Sequence, residues 1–271
     1  DDRVVLDGAD PVPAEKWSPV PGFDKVFATP LDHDPGQVFV DGKPIHMKVM
    51  KTGEVTWKLG ELTDADEGRW QFDAENRRLL LNLGGGNPAA GHRIEVPVRG
   101  NAFALGSYCR VKGIHATRYR WAAVDIYGED SVVEDCLVTD CGAGIRASAW
   151  HARGAVIRRN TVIGCLGNGI FLQDRPLFCR VEQNTVIRCT LNPWHDVLWI
   201  GSIKMNSAAG CLFAHNVVLE AGNPDTANGW DGWALWGDCN INRIVYVGNT
   251  TAHNEEAGIY VEYGMADTRA F

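Results

Sequence analysis

Two carboxylates near the end of the sequence, Asp238 and Glu262, have the types and spacing that acid–base chemistry on a glycosidic bond requires. Each closes a short apolar phrase, Ala234–Asp238 and Gly258–Glu262, and the two phrases lie one sequence repeat apart. If the repeats stack as parallel strands, which are spaced about 4.7–4.9 Å apart, the carboxyl groups would lie roughly 5 Å apart. Glycosidases that retain the anomeric configuration hold theirs about 5–5.5 Å apart, whereas inverting enzymes need about 6.5–9.5 Å. The spacing therefore favours a retaining mechanism.

The two carboxylates would have different roles in a two-step hydrolysis. Carboxylates this close repel, which favours a state in which one is protonated and acts as general acid while the other stays anionic. We predict Asp238 as the nucleophile and Glu262 as the acid/base, because the longer glutamate side chain reaches a leaving-group oxygen more easily. The reverse assignment stays open. In the alternative without catalysis, both are solvated carboxylates on a polar wall.

A short phrase that recurs from about residue 110 onward must position these residues. It contains an Asn or Asp, three mostly apolar or β-branched residues, a polar turn, a small residue and a second short strand. Its polar anchors are spaced 25, 24, 32 and 33 residues apart, at Asp135, Asn160, Asn184, Asn216 and Asn249. Periods of this length, built from strand-forming residues, are typical of solenoids whose coils are strands. The sequence predicts an all-β fold, a right-handed parallel β-helix, in which the anchor side chains bond backbone groups at the coil turns.

Two adjacent coils carry about nine extra residues each at the same corner, around 192–196 and 223–230. Insertions that cluster on one face of a solenoid usually mark its binding face. His195 lies on the first insertion and Asp231 lies beside the second. Both are therefore candidates for substrate contact, with ordinary loop polarity as the alternative.

Alternation in the second strand of each coil predicts which side chains face outward. Five apolar residues would point into the core, namely Ile145, Ile170, Ile203, Leu235 and Ile259. The residues between them would form two outward ladders, Arg146-Phe171-Lys204-Trp236-Tyr260 and Ser148-Gln173-Asn206-Asp238-Glu262. In this groove Trp236 and Tyr260 would stack on a pyranose ring, while Lys204 and Asn206 would bind sugar hydroxyls. Packing of the two rings, and a salt bridge from Lys204 to a neighbouring carboxylate, are the alternatives.

Three segments resemble a known group of enzymes. Gly-Trp-Ala-Leu-Trp-Gly-Asp at 232–238 and Ala-Gly-Ile-Tyr-Val-Glu-Tyr at 257–263, preceded by Gly-Ser-Ile-Lys-Met at 201–205, resemble the β-helix glycoside hydrolases of the family 120 β-xylosidase type and their relatives. The resemblance implies an aspartate nucleophile and a glutamate acid/base on successive coils, which match Asp238 and Glu262. It also implies a β-sandwich-like insertion, here from Gly36 to about Leu83. Ala234, Gly237 and the long 223–230 insertion depart from the family pattern, which affects substrate choice more than reaction class.

The first third of the chain is predicted as β structure of another kind. Gln37–Val40 followed by Asp41-Gly42 indicates one hairpin, and Arg69–Phe72 with Arg78–Leu83 indicates a second. We therefore predict three segments: the start of the β-helix at 1–35, an inserted β-rich, sandwich-like domain at 36–93, and the β-helix that carries the site at 94–271.

Charge and hydropathy limit the partners. The net charge of -8 and the pI near 5.5 argue against nucleic acid and disfavour a strongly polyanionic substrate. The sequence contains no stretch of about 20 apolar residues, the length that a membrane span requires. We expect an oligo- or polysaccharide as partner, with homo-oligomerisation left open, and substrate logic favours an extracellular or periplasmic location.

Cysteine usage does not indicate a cofactor. The eight cysteines form neither a disulfide framework nor a zinc motif, since no Cys-x-x-Cys occurs. Cys141, Cys165 and Cys189 repeat every 24 residues, which predicts a stacked interior column of thiols. We expect no cofactor and no metal ligand, with Ca²⁺ the one ion left open.

Three functions stay open. The first is a retaining, β-xylosidase-like glycosidase acting on plant or microbial oligosaccharides or polysaccharides. The second is a polysaccharide lyase or epimerase, in which Lys204, Arg146 or a histidine would abstract a proton next to a uronate carboxyl, chemistry that favours a basic groove or a Ca²⁺ site. The third is a non-catalytic carbohydrate-binding β-helix, for which aromatic ladders suffice.

Overall fold

The computed structural model describes residues 3–51, 57–59, 61–148, 151–191, 200–222, 232–262 and 269–270. The chain divides into two compact units. The β-helix unit comprises Asp1–Gly8 and most of the chain from Gly100 onward, and the inserted unit comprises Ala9–Arg99.

Three parallel sheets build the β-helix unit, and within the described residues each has seven strands. Sheet I consists of Phe103–Leu105, Ala122–Ile126, Ala143–Ser148, Ile170–Gln173, Ile203–Asn206, Leu235–Asp238 and Ile259–Val261. Sheet II consists of Arg110–Lys112, Val132–Glu134, Val156–Arg158, Arg180–Glu182, Leu212–Ala214, Val245–Val247 and Arg269–Ala270. Sheet III consists of Val4–Asp7, Ile114–Thr117, Leu137–Thr139, Thr161–Ile163, Thr185–Ile187, Val217–Leu219 and Thr250–Ala252. Neighbouring strands pair in parallel, as the predicted β-helix requires.

The core of this unit follows the predicted alternation, with one correction. Four of the five predicted inward residues are buried, namely Ile145, Ile170, Ile203 and Leu235. The predicted cysteine column of Cys141, Cys165 and Cys189 is buried as well, and its thiols are free. Ile259 is instead 42% exposed. It lies on the edge strand of sheet I, which pairs with only one neighbouring strand, Leu235–Asp238, within the described residues.

A ladder of buried asparagines fixes the register between coils. The side-chain Oδ1 of Asn184 accepts a hydrogen bond from the backbone N–H of Asn160 at 3.0 Å, and Asn216 and Asn249 repeat this contact along the unit. The Nδ2 of Asn184 donates to the Ile157 carbonyl at 2.9 Å. Each amide therefore bonds a backbone N–H at the turn between sheets II and III and a carbonyl of the preceding sheet II strand.

Asp135 does not belong to this ladder, contrary to the prediction. Thr161 pairs with Leu137 in sheet III, so Asn160 lies beside Cys136 and accepts its backbone N–H at 3.0 Å. Asp135 precedes Cys136 at a left-handed turn position with φ 56° and forms an ion pair with Arg159. The sequence pattern misplaced the anchor by one residue because Asp, like Asn, is favoured at both kinds of turn position.

The inserted unit contains an eight-stranded sheet, a two-stranded sheet and two short 3₁₀ helices in its described part. Across the larger sheet the strands run in the order Ala9–Pro11, Ile94–Pro97, Val38–Val40, Lys43–Met47, Arg69–Asp73, Arg78–Asn82, Val26–Pro30 and Ser18–Pro19. The smaller sheet consists of Val49–Lys51 and Trp57–Leu59, and the 3₁₀ helices are Ala14–Lys16 and Pro88–Ala90. Both predicted hairpins are present as antiparallel pairs.

The boundaries between the units differ from the predicted positions 36 and 93. Val26–Pro30 pairs with Arg78–Asn82, and Ala9–Pro11 pairs with Ile94–Pro97, all within the inserted unit. Before the insertion only Val4–Asp7 joins the β-helix unit, through sheet III. The early strands find their partners in segments distant along the chain, a pairing that local alternation does not reveal.

Asn184→Ala should lower the free energy of unfolding by about 2–3 kcal/mol, because it leaves the buried N–H of Asn160 without its acceptor and removes the hydrogen bond to the Ile157 carbonyl. Thr185→Ala, at the half-exposed neighbouring position, should change it by no more than about 0.5 kcal/mol. Equilibrium urea unfolding measures both. Equal losses in the two variants would contradict the structural role of the ladder.

Candidate active site

Sheet I brings the predicted site residues together in the predicted register. Lys204 pairs with Trp236 and Trp236 with Tyr260, each on the adjacent strand. Asn206 lies beside Asp238 in the same way. The N–H of Glu262 donates to the Gly237 carbonyl at 2.7 Å, which continues the ladder and sets Glu262 next to Asp238. His195 and Asp231 lie outside the described residues.

Lys204 and Asp238 form a buried ion pair. The Lys204 Nζ lies 3.0 Å from the Asp238 Oδ2, and the side chains are 1% and 2% exposed. Burial lowers the pKa of Lys204 below its ordinary value, and the carboxylate of Asp238 opposes this shift. Of the two roles considered for Lys204, the structure shows the ion pair. Its ammonium stabilises a negative charge on Asp238 in a place that water does not reach.

Three aromatic rings pack together beside this pair, and one of them, Trp236, contacts the lysine. Trp236 packs against Trp233 at a centroid distance of 4.4 Å and against Tyr260 at 6.1 Å. Trp233 also stacks on Tyr260 at 5.5 Å. The Lys204 Nζ lies 3.5 Å from the centroid of the Trp236 ring, a cation–π contact that a desolvated ammonium favours. Trp236 therefore mainly packs against neighbouring side chains, and Tyr260 is the half-exposed ring of the group.

The expectation of an open groove is wrong for part of the ladder. Lys204, Trp236 and Asp238 point outward from the coil but are buried, so these outward positions are covered. Glu262, Asn206 and Tyr260 are half-exposed. The nucleophile candidate thus lies deep and the acid/base candidate lies at the rim, a difference that strand alternation cannot predict.

Two buried polar atoms at the site have no hydrogen-bond partner in the part of the chain that the structure describes. They are the Asp238 Oδ1, an acceptor, and the Trp236 Nε1, a donor. Both belong to outward side chains two residues apart on one strand, so they share a face. A buried unpaired polar group costs about 1–3 kcal/mol, more when it is charged, and such atoms in a native structure call for a specific explanation. A ligand hydroxyl, which both donates and accepts, would satisfy the two atoms.

Sequence reasoning missed two residues, Trp233 and Cys239. Trp233 lies two residues before the site strand, and a second tryptophan three residues before Trp236 was the available signal. Cys239 follows Asp238 as a half-exposed thiol. The adjacent carboxylate of Asp238 is the main cause that raises the pKa of Cys239 to about 11, and burial and the charge of Glu262 add to it. No sequence pattern distinguishes this thiol from the other cysteines.

Asn206 contributes to the local backbone. Its Oδ1 accepts the backbone N–H of Asp174 at 2.7 Å, which holds the amide at the edge of the site. Its Nδ2 forms no hydrogen bond within the described residues.

Among the described residues, no group of three or more His, Cys, Asp or Glu side chains converges to hold a metal ion. The described residues also contain no helix with the length and apolarity needed to cross a membrane.

Comparison with known proteins assigns the fold. Residues 98–223 match the family model for a right handed beta helix region. The β-helix unit is a right-handed parallel β-helix. The structure of XylC in complex with xylose is similar with a TM-score of 0.66 at 16% sequence identity, over 99% of this chain and 54% of XylC. This chain thus spans about half the length of XylC.

A second solved structure, described as a glycoside hydrolase, matches 97% of this chain and 83% of its own chain with a TM-score of 0.47 at 11% identity. No curated protein matches the sequence. At these identities, the likeness to XylC establishes the fold alone.

Lys204→Met should lower the free energy of unfolding by about 3–5 kcal/mol, because it leaves the buried Asp238 carboxylate unpaired. Adding Asp238→Asn should recover part of the loss, since no charge then remains buried. Lys112→Met removes an exposed lysine of sheet II that also faces carboxylates, and should cost at most about 1 kcal/mol. Urea unfolding of the wild type, Lys204→Met, Asp238→Asn and the double variant completes the cycle, with Lys112→Met as the control. Strictly additive losses would show that Lys204 and Asp238 are not coupled.

Cys239 should be alkylated slowly at pH 8 and faster in Asp238→Asn. A pKa near 11 leaves little thiolate at that pH, and removing the carboxylate charge should lower the pKa by part of its shift, because burial and Glu262 still raise it. The thiolate becomes less nucleophilic as its pKa falls, so the net acceleration should be roughly 3-fold and below 10-fold. Peptide mass spectrometry after iodoacetamide treatment measures the rate at Cys239, with half-exposed Cys109 as the internal control. An unchanged rate would mean that Asp238 does not carry a charge beside the thiol.

Proposed function

We propose that the protein is a retaining glycoside hydrolase, with Asp238 as nucleophile and Glu262 as acid/base. One observation carries the proposal: Asp238 ends one strand of sheet I, Glu262 directly follows the neighbouring strand in register with it, and Asp238 is buried against a lysine. Neighbouring strands lie about 4.8 Å apart, which suits a retaining pair better than the wider separation of an inverting mechanism.

The two environments support the division of roles. Asp238 is desolvated, ion-paired to Lys204 and has one oxygen without a partner among the described residues, the situation of a nucleophile that awaits an electrophilic carbon. Glu262 is half-exposed at the rim, where a leaving group departs and a water arrives. A nucleophile protected from water and an acid/base in contact with it suit the two-step reaction.

In the first step an Asp238 oxygen forms a bond to the anomeric carbon while the bond to the leaving oxygen breaks. Glu262 gives its proton to that oxygen. In the second step Glu262 takes a proton from water, the water oxygen attacks the anomeric carbon, and the ester bond to Asp238 breaks. Inversion at each step yields overall retention.

Lys204 favours the second step of this cycle. Esterification removes the negative charge of Asp238 and so weakens its ion pair with Lys204. The face of the Trp236 ring, 3.5 Å from the ammonium, continues to stabilise the cation in the intermediate. Release of the sugar restores the carboxylate and the full ion pair, which favours the second step.

A xyloside is the first substrate to test. XylC, whose similar structure holds xylose, motivates that choice. Tyr260 offers a half-exposed ring for a sugar face, and the Trp236 Nε1, which has no partner among the described residues, offers a donor for a hydroxyl. The lyase alternative has less support, because Lys204 and Arg146 are each engaged by a carboxylate, Asp238 and Asp125.

A panel of chromogenic glycosides, beginning with β-xyloside, tests the proposal when the anomer of the first product is followed by NMR. We expect release with retained configuration. Asp238→Asn should abolish it, and Glu262→Gln should lower kcat/KM about 10²–10⁴-fold on substrates with poor leaving groups and much less on activated aryl glycosides. The kcat should fall on both kinds of substrate, because Glu262 also activates the water of the second step.

Asn206→Ala is the matched control for these variants, because it changes a neighbouring outward position that carries no proton to transfer. It should keep retention and lose activity only modestly. Release of the inverted anomer would contradict the proposed mechanism. Sugar binding without turnover in the wild type would indicate a carbohydrate-binding protein, and an unsaturated product from a uronate polymer would indicate the lyase.

A further inference from the structure

The outward face of sheet I continues beyond the candidate active site as an ordered polar surface. From Lys204, the ladder runs to Phe171, Arg146 and Asp125 on successive strands. From Asn206, the parallel ladder runs to Gln173 and Ser148, and Tyr127 follows Ile126 on the next strand. These residues share the face on which Asp238 and Glu262 lie.

A buried carboxylate organises the far end of this surface. Asp125 is fully buried, and its Oδ2 accepts a hydrogen bond from the Arg146 Nε at 3.0 Å while its Oδ1 accepts one from the Ser148 Oγ at 2.9 Å. A hydrogen bond to Asp125, which is the main cause, raises the pKa of the Tyr127 hydroxyl. Asp125 thus fixes two polar groups that reach solvent, since Tyr127 is 47% exposed and Arg146 is half-buried.

Gln173 lies between this cluster and the candidate active site. It is half-exposed, and within the described residues its amide forms no hydrogen bond. Phe171, beside it on the same strand, is also half-exposed. An amide with open donors and acceptors next to an apolar ring matches a sugar, which presents hydroxyl groups at its edge and C–H groups on its face.

We propose that Tyr127, Arg146 and Gln173 form a distal subsite for a neutral oligosaccharide whose reacting end lies between Asp238 and Glu262. The proposal rests on the proposed function and adds the substrate class to it. Asp125 offsets the charge of Arg146, so the pair presents hydrogen-bond donors with no net charge, which favours hydroxyl groups over the carboxylates of a uronate.

Strand spacing sets the length of the ligand. Gln173 lies two strands from Asp238 and Tyr127 lies four, which correspond to about 10 Å and about 19 Å. A single sugar ring does not span these distances. The distal subsite therefore acts only on chains of several sugars, and a monosaccharide aryl glycoside should not reach it.

The test compares a long and a short substrate in three variants of the full chain. Gln173→Ala and Tyr127→Ala should each raise the KM for xylohexaose about 3- to 10-fold at unchanged kcat, while the kinetics on p-nitrophenyl β-xyloside stay the same. Tyr108→Ala is the matched control, because this exposed tyrosine lies on a turn after sheet I and bonds Glu129 instead of joining the ladders. Tyr108→Ala should leave the kinetics on both substrates unchanged.

Equal KM for xylohexaose in all variants, with active enzyme, would overturn the subsite and leave the proposed function intact. If no glycoside is hydrolysed, the proposed function fails, and isothermal titration with xylohexaose decides the subsite separately. Binding that Gln173→Ala weakens and Tyr108→Ala does not would support it. Absence of binding, or tighter binding of a uronate oligomer than of xylohexaose, would overturn it.

Discussion

The parallel register of sheet I is the constraint on which every other feature of the site depends. A shift by one residue in any strand would turn its outward side chains into the core and its apolar side chains to the outside. The asparagine ladder secures that register at a neighbouring turn. Asn160 and Asn184 are 24 residues apart and Asn184 and Asn216 are 32 apart, yet both pairs form the same 3.0 Å hydrogen bond. The additional residues of the longer coils therefore leave the sheets undisturbed, and the binding face can vary while the carboxylates keep their places.

Stability alone does not account for the Lys204–Asp238 pair. Replacing a buried ion pair with apolar residues of similar volume is often neutral or stabilising, since desolvation offsets most of the attraction. Here the desolvated ammonium also lies against the Trp236 ring, and the carboxylate keeps one oxygen without a partner among the described residues. A core designed only for packing would contain neither feature. The proposed nucleophile needs both, because it must be charged before the reaction and keep one oxygen unbonded until a substrate binds.

Much of this fold could be predicted from the sequence, because alternation and repeat spacing are local properties. The step from Phe171 to Lys204 to Trp236 follows from apolar residues at every second position, and the structure shows that register. Burial was less predictable, because it depends on what covers an outward position. The pairing of the strands between Ala9 and Pro30 was also less predictable, because several of their partners lie some 50 residues or more away along the chain. The displaced Asp135 shows a third limit, since two turn positions one residue apart accept the same side chains.

Two buried aspartates on the same face of sheet I differ in the hydrogen bonding of their carboxylate oxygens. Asp125 has an arginine on one oxygen and a serine hydroxyl on the other, so both oxygens are satisfied. Asp238 has a lysine on Oδ2 and no partner on Oδ1 among the described residues. A fully bonded carboxylate orients its neighbours, because attack on a substrate would cost it existing hydrogen bonds. An incompletely bonded one gains a contact when substrate arrives. Both residues are buried aspartates, and within the described residues the unpaired oxygen of Asp238, beside Glu262, distinguishes the proposed nucleophile from the structural aspartate.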